Sequence, residues 1–68
     1  MTVAQIRDSE GAPFVEVVFL ESARFYKLNR NHPAFDDLLR ALRRGVATGN
    51  VVKVRFAAPE SDVIEDVE

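Results

Sequence analysis

The chain has 68 residues, with nine Lys and Arg side chains against eleven Asp and Glu, for a formal net charge of −2. A chain this short forms one small domain with a modest core, and its lack of cysteine excludes disulfides and thiolate metal sites. A single histidine excludes a His-rich zinc site, which leaves oligomerisation as the usual way to stabilise so small a fold.

The charges are spread unevenly along the chain. Residues 1–21 carry one base and four acids (net −3), residues 22–58 carry eight bases and two acids (net +6), and residues 59–68 carry five acids (net −5). The basic middle and the acidic end are complementary, both within one chain and between two copies of it. No signal-peptide pattern and no apolar run of membrane-spanning length is present, which predicts a cytoplasmic protein without a membrane partner.

Three short strands are predicted first, at residues 2–7 (TVAQIR), 14–20 (FVEVVFL) and 24–29 (RFYKLN). Gly11 and Pro13 mark the first turn, and Glu21 and Ser22 the second. One face of the second strand is fully apolar, with Val15, Val17 and Phe19, and the other face, which includes Phe14 and Val18, is broken only by Glu16. The other face therefore packs in the core or against a partner. The candidate interface residues are Phe14, Val18, Leu20 and Phe25.

A helix of about four turns is predicted within residues 31–50. Pro33 fits the first helical position, with Asn31 or His32 as the cap, and Gly49 is the expected stop. Gly45 either admits close approach of another element or marks a frayed helix end. An apolar stripe at helical spacing is formed by Phe35, Leu38, Leu39, Leu42 and Val46.

Two further strands are predicted after the helix. In residues 51–58 (VVKVRFAA), Val52, Val54 and Phe56 face the core, whereas Lys53 and Arg55 face solvent. Residues 62–67 (DVIEDV) form a last edge strand, whose inward residues are either Ile64 or the pair Val63 and Val67. The alternative for residues 59–68 is a frayed acidic tail.

The order strand, strand, strand, helix, strand, strand predicts a mainly β fold with one helix, a five-stranded OB-like antiparallel barrel. The alternative is an antiparallel sheet with the helix packed on one face and residues 62–68 disordered. Residues 26–56 (YKLNRNHPAFDDLLRALRRGVATGNVVKVRF) make the chain resemble the small OB-fold of bacterial toxin B subunits of the Shiga-toxin type. The disulfide and the sugar-binding positions of that family have no counterpart here. The resemblance therefore implies the fold and ring assembly, and does not imply toxin activity.

Catalytic constellations are missing from the sequence. Ser9, Ser22 and Ser61 lie in predicted turns, and Asp36 and Asp37 point about 100° apart on the helix. The three glycines lack phosphate-loop spacing. We expect a non-enzymatic protein without a cofactor, which acts as a binding and assembly module and self-associates as a homo-oligomer.

The alternative function is weak binding of single-stranded nucleic acid, in which Phe25 stacks on a base. The net acidity of the chain counts against that function, because phosphate binding favours a basic domain. The candidate anion or nucleic-acid face consists of the basic residues Arg24, Lys27, Arg40, Arg43, Arg44, Lys53 and Arg55.

Overall fold

The computed structural model describes all 68 residues, Met1–Glu68. It confirms a mainly β fold with one helix and the predicted order of elements. The three-stranded antiparallel sheet has the order β1-β2-β3, and β4 and β5 form a second antiparallel sheet. The elements are β1 (Val3–Arg7), β2 (Phe14–Phe19), β3 (Phe25–Asn29), α1 (Phe35–Thr48), β4 (Val54–Phe56) and β5 (Ile64–Val67).

The strands form two separate sheets, and the structure shows no closed barrel. The two sheets are joined only by isolated bridges, antiparallel between Thr2 and Val51 and parallel between Lys27 and Val63. The physical reason lies in β4, which spans three residues instead of the predicted eight. The start of the chain pairs with Val51 and Val52, which precede β4, and not with β4 itself.

The hydrophobic core lies between the two sheets and the helix. Every element contributes except β4, whose Val54 and Phe56 pack against the core while remaining half-buried. Along β2 the burial alternates residue by residue, as expected for a strand with one face inward. The eleven buried residues are Val3, Val15, Val17, Phe19, Tyr26, Leu28, Leu38, Leu42, Val52, Ile64 and Val67.

The helix begins two residues later than Pro33 at its first position would require. Ala34 is the N-cap and makes no side-chain capping bond. Instead, the Ala34 N–H donates to Nδ1 of His32 at 3.0 Å, and the Phe35 N–H donates to the His32 carbonyl at 3.0 Å. These two bonds close a turn through Pro33 and Ala34, so the α-helical ladder starts only at Phe35. His32 rather than Asn31 therefore organises the helix start.

The predicted end of the helix is confirmed. Gly49 adopts a left-handed conformation with φ 71°, and its N–H donates to the Gly45 carbonyl at 2.9 Å. Glycine suits this position because a Cβ disfavours positive φ.

The buried stripe of α1 is rotated relative to the predicted one. Leu38, Leu42 and Gly45 are buried, whereas Val46 is 43% exposed, so its assignment to the core was wrong. The rotation follows from a close contact at Gly45. A Cβ on Gly45 would lie 3.1 Å from Cγ1 of Val52 and 3.3 Å from Cγ2 of Val3. The helix continues to Thr48, so Gly45 marks a close approach and not a frayed end.

The last strand places both Ile64 and Val67 in the core, although the sequence offered them as alternatives. The pairing register shifts between Arg55 and Phe56, which face Asp66 and Ile64 respectively. This bulge leaves Glu65 without a partner across the ladder and shifts the inward–outward alternation of the side chains by one residue. An inward Ile64 and an inward Val67 are thereby compatible in one short strand.

Replacing Gly45 with alanine tests the helix contact. Alanine is favoured over glycine by about 1 kcal/mol inside a helix, but here its Cβ would press on Val52 and Val3. We expect Gly45→Ala to change the free energy of unfolding little in the native chain. In a Val52→Ala background it should stabilise by about 0.5–1 kcal/mol more, because the crowding is relieved. Urea unfolding of the double-mutant cycle measures this difference, and additive effects would contradict the contact.

Candidate interaction surface

One face of the three-stranded sheet points away from the core. Because Val15, Val17 and Phe19 of β2 are buried, the alternate residues of that strand point to the opposite side. The same alternation applies to β3, where Tyr26 and Leu28 are buried. We call this surface the outer face. Its residues on these two strands are Phe14, Glu16, Val18, Phe25, Lys27 and Asn29.

The end of the outer face next to the β2–β3 turn is apolar. Val18 of β2 lies directly opposite Phe25 of β3 in the antiparallel register. The Phe25 side chain is 53% exposed, and Leu20, which follows β2 in a turn, is 70% exposed. Phe14 and Val18 are half-buried. The structure therefore brings all four predicted interface residues to β2, its end and the adjoining β3.

Charged residues occupy the middle of the outer face, beside this apolar end. Nζ of Lys27 lies 4.9 Å from the ring centroid of Phe14, within the range of a cation–π interaction. Lys27 also lies opposite Glu16, and Glu16 lies opposite Arg7 on the other side of β2. Opposite charges at facing positions stabilise a sheet. The outer face thus has charged pairs in its middle and an exposed apolar patch at its turn end, and such a patch is a candidate interaction site.

The turn that carries Leu20 is fixed to the start of β1. The Leu20 N–H donates to the Thr2 carbonyl at 2.9 Å, and the Glu21 carboxylate accepts the Thr2 N–H at 2.8 Å. The bond from the Thr2 backbone is the main reason why the pKa of Glu21 lies below its usual value. The backbone of Thr2 therefore makes two hydrogen bonds, one through its carbonyl and one through its N–H, that hold the turn carrying the exposed Leu20.

The predicted basic residues come from three parts of the fold. Arg24 and Lys27 belong to the β3 region, Lys53 and Arg55 to the β4 region, and the remaining three arginines to α1. Five of the seven have a carboxylate within 4.0 Å. The pairs are Arg24–Asp62, Arg40–Asp37, Arg43–Asp8, Lys53–Glu68 and Arg55–Asp66.

Three of these ion pairs join the basic middle of the chain to its acidic end. They are formed by Arg24, Lys53 and Arg55 with acids of residues 62–68. The guanidinium of Arg24 also lies 6.0 Å from the ring centroid of Tyr26. These three pairs therefore offset part of the positive charge of the basic middle within one chain. Less uncompensated positive charge is then available to bind a phosphate backbone.

Arg30 has a structural role that the sequence did not reveal. Its side chain donates to the carbonyls of Ala12 and Ser9 and pairs with the Asp8 carboxylate. The same carboxylate accepts a bond from Arg43 of α1 at 3.3 Å. Arg30 thereby fastens the β1–β2 loop to the end of β3. The partners lie about twenty residues away, so local spacing gave no signal of the contact.

Other site types find little support in the structure. No group of three or more His, Cys, Asp or Glu side chains is arranged to hold a metal ion. The only helix, α1, lacks the length and apolar character needed to cross a membrane. No protein-family model, curated protein or solved structure matches the chain.

The bond between Glu21 and Thr2 predicts a pH dependence of stability. Because the pKa of Glu21 is lowered in the folded state, its carboxylate stabilises the fold above the unfolded pKa, and this contribution is lost as pH falls through the folded pKa. Stability should therefore rise with pH in the acidic range, and Glu21→Gln should reduce that rise. Urea unfolding between about pH 3 and 6 measures the slope.

The control for this experiment is Glu60→Gln, which removes one carboxylate from an exposed turn. It separates the bond to Thr2 from the general loss of one negative charge. A Glu21→Gln variant whose stability follows pH as steeply as the native chain would contradict the assignment.

Proposed function

We propose that the chain is a non-enzymatic binding and assembly module with a partly open, OB-like barrel. The order of contacts supports this architecture. The Thr2–Val51 bridge sets β1 beside the segment that leads into β4, and the Lys27–Val63 bridge sets β3 beside the start of β5. Together with the two sheets, these bridges support the strand order β1-β2-β3-β5-β4 of a partly open barrel, with α1 between β3 and β4 along the chain.

Self-association through the outer face is the function that the geometry supports best. The observation that carries it is the apolar end of the outer face, where Phe25 and Leu20 are exposed and Val18 is half-buried. A small chain gains most from burying such a surface against another copy, because its own core is modest. Burial of apolar surface contributes roughly 25 cal/mol per Å². We therefore propose a homo-oligomer in which the outer faces meet.

Charge pairing is a weaker candidate for the driving force of assembly. The ion pairs between the basic middle and the acidic end are already made within the chain. Their side chains are largely exposed, and exposed pairs contribute only about 0–1 kcal/mol. An interface that exchanged these ion pairs between copies would replace each pair within a chain by an equivalent pair between chains, with little net gain in free energy. The apolar outer face offers a gain that the single chain lacks.

Sedimentation velocity over a wide concentration range tests this proposal. The native chain should show a concentration-dependent oligomer that is insensitive to salt, because its interface is apolar. Phe25→Ser combined with Leu20→Ser should shift the chain toward the monomer by at least about tenfold in dissociation constant. The matched control is Val46→Ser, which removes an exposed apolar side chain from α1.

A native chain that remains strictly monomeric at high micromolar concentration would overturn the proposal. Equal weakening of self-association by Val46→Ser and by the outer-face variant would also contradict the proposal. The loss would then come from any added surface polarity and not from the outer face.

A second candidate function is binding of single-stranded nucleic acid by the same face. OB-folds use the face of their second and third strands for such ligands, and here that face carries the exposed Phe25. Lys27 lies on the same strand and has no carboxylate within ion-pair distance, although its ammonium group lies over Phe14. Aromatic stacking with nearby basic groups is the usual basis of sequence-tolerant binding.

Titration of a labelled single-stranded oligothymidylate at low salt tests the second candidate. Stacking on Phe25 predicts a saturable signal that Phe25→Ala weakens by about 1–3 kcal/mol. Lys27→Gln should reduce the salt dependence by about one phosphate contact. Absence of a signal would remove this function, and a signal unchanged in Phe25→Ala would reject stacking.

A further inference from the structure

The exposed apolar residues of the chain are concentrated at one place. Four large apolar side chains are exposed, namely Leu20, Phe25, Val46 and Val51. Leu20 and Phe25 belong to the apolar end of the outer face. Val51 lies in the segment that leads into β4, and its side chain is 74% exposed. The pairing of that segment shows that Val51 belongs to the same end of the same face.

Hydrogen bonding places Leu20 and Val51 in register on either side of Thr2. On one side, the Leu20 N–H donates to the Thr2 carbonyl at 2.9 Å. On the other side, Thr2 forms an antiparallel bridge with Val51. Residues directly opposite each other on neighbouring strands point to the same face of a sheet. Leu20, Thr2 and Val51 therefore form a row across three neighbouring segments of the chain.

The burial of adjoining residues identifies the face to which this row points. Phe19, Val3 and Val52 each adjoin one member of the row along the chain, and all three are buried in the core. Because side chains alternate along an extended chain, the row points away from the core and belongs to the outer face. Neighbouring strands lie about 4.8 Å apart, so the row is about 10 Å wide.

The row and the pair formed by Val18 and Phe25 make up one continuous surface. Val18 lies two residues before Leu20, on the same side of the chain, and pairs with Phe25. We call this surface the turn-end patch; its residues are Thr2, Val18, Leu20, Phe25 and Val51. None of them carries a charge. The patch crosses from the three-stranded sheet to the segment that leads into β4.

The distribution of exposed apolar residues bears on how copies of the chain meet. A ring of copies requires two different, complementary surfaces on each chain, whereas a two-fold pair requires one surface that meets itself. Outside the turn-end patch, the only exposed large apolar side chain is Val46 of α1. A single valine is too small to cover the patch. The surface that best covers a turn-end patch is therefore the same patch on a second copy.

We propose that the chain forms a two-fold symmetric dimer in which the turn-end patches meet, with Val51 as a contact residue. This inference rests on the proposed self-association through the outer face, and it adds the number of copies and the extent of the interface. It also links association to the fold, because a second copy seated on the patch covers both sides of the Thr2–Val51 bridge. The dimer thereby shields the junction between the three-stranded sheet and the segment before β4.

Sedimentation equilibrium of the full chain measures the number of copies. The associated species should have the mass of two chains, and its mass should not rise when the protein concentration is increased further. A trimer, a larger ring or an open-ended series would overturn two-fold pairing but leave self-association through the outer face intact. A strictly monomeric chain at high micromolar concentration would overturn both.

Two valine-to-serine substitutions form a matched pair for the extent of the interface. Val51→Ser changes an exposed residue of the patch, and Val46→Ser changes an exposed residue of α1. Each residue occurs twice in a two-fold contact, so Val51→Ser should raise the dissociation constant of the dimer by about tenfold or more, whereas Val46→Ser should change it by less than about twofold. If Val51→Ser has no effect while the double variant of Leu20 and Phe25 weakens the dimer, the extension to Val51 is wrong and the outer-face contact stands.

Urea unfolding at two protein concentrations separates a role in the interface from a structural role. Association stabilises the folded state by mass action, so the urea midpoint of the native chain should rise with concentration. Val51→Ser should match the native chain at low micromolar concentration, because the Val51 side chain is largely outside the core. At high micromolar concentration its midpoint should fall below that of the native chain. An equal loss at both concentrations would give Val51 a structural role and overturn its place in the interface.

Discussion

The adjoining residues Val52 and Lys53 hold this fold together. Val52 pairs through its backbone with Met1, and Lys53 pairs through its backbone with Glu68. The first residue and the last residue are thus fastened to neighbouring positions of one segment, which joins the two sheets. The Val52 side chain also packs against Gly45 of α1. Helix and sheets consequently meet at one place, and the tight contact at Gly45 sets the rotation of the helix.

The main elements follow from patterns that the sequence displays. Alternation along residues 14–20 predicted β2, and the left-handed Gly49 ends α1 as expected. The polar face of residues 51–58 was also correct, since Lys53 and Arg55 are exposed. These features are local, so spacing and residue type are enough to predict them.

The errors have non-local causes. Val46 fits the apolar stripe by spacing, but the contact of Gly45 with Val3 and Val52 turns the helix so that Val46 faces outward. Pro33 suits the first helical position, but the bonds to His32 delay the helix. Neither tertiary contact is encoded in a short window of sequence.

The candidate surfaces were predicted unequally. The outward position of Val18 and Phe25 follows from the alternation along β2 and β3, which the sequence displays. The seven basic residues come from three regions of the fold, and five of them are paired with carboxylates that are distant in sequence or on the same helix, which residue type alone could not reveal.

The pairing of both chain ends with Val52 and Lys53 also bears on how the protein acquires its structure. The hydrogen bonds between Met1 and Val52 span 51 positions, and the partner of Lys53 is the last residue. Contacts between residues so distant in sequence form only after a large loop has closed, which slows folding. During synthesis, the three-stranded sheet can assemble early, but the core cannot close until β5 has emerged. Until then, the inner face of that sheet remains open to chaperones and to other nascent chains.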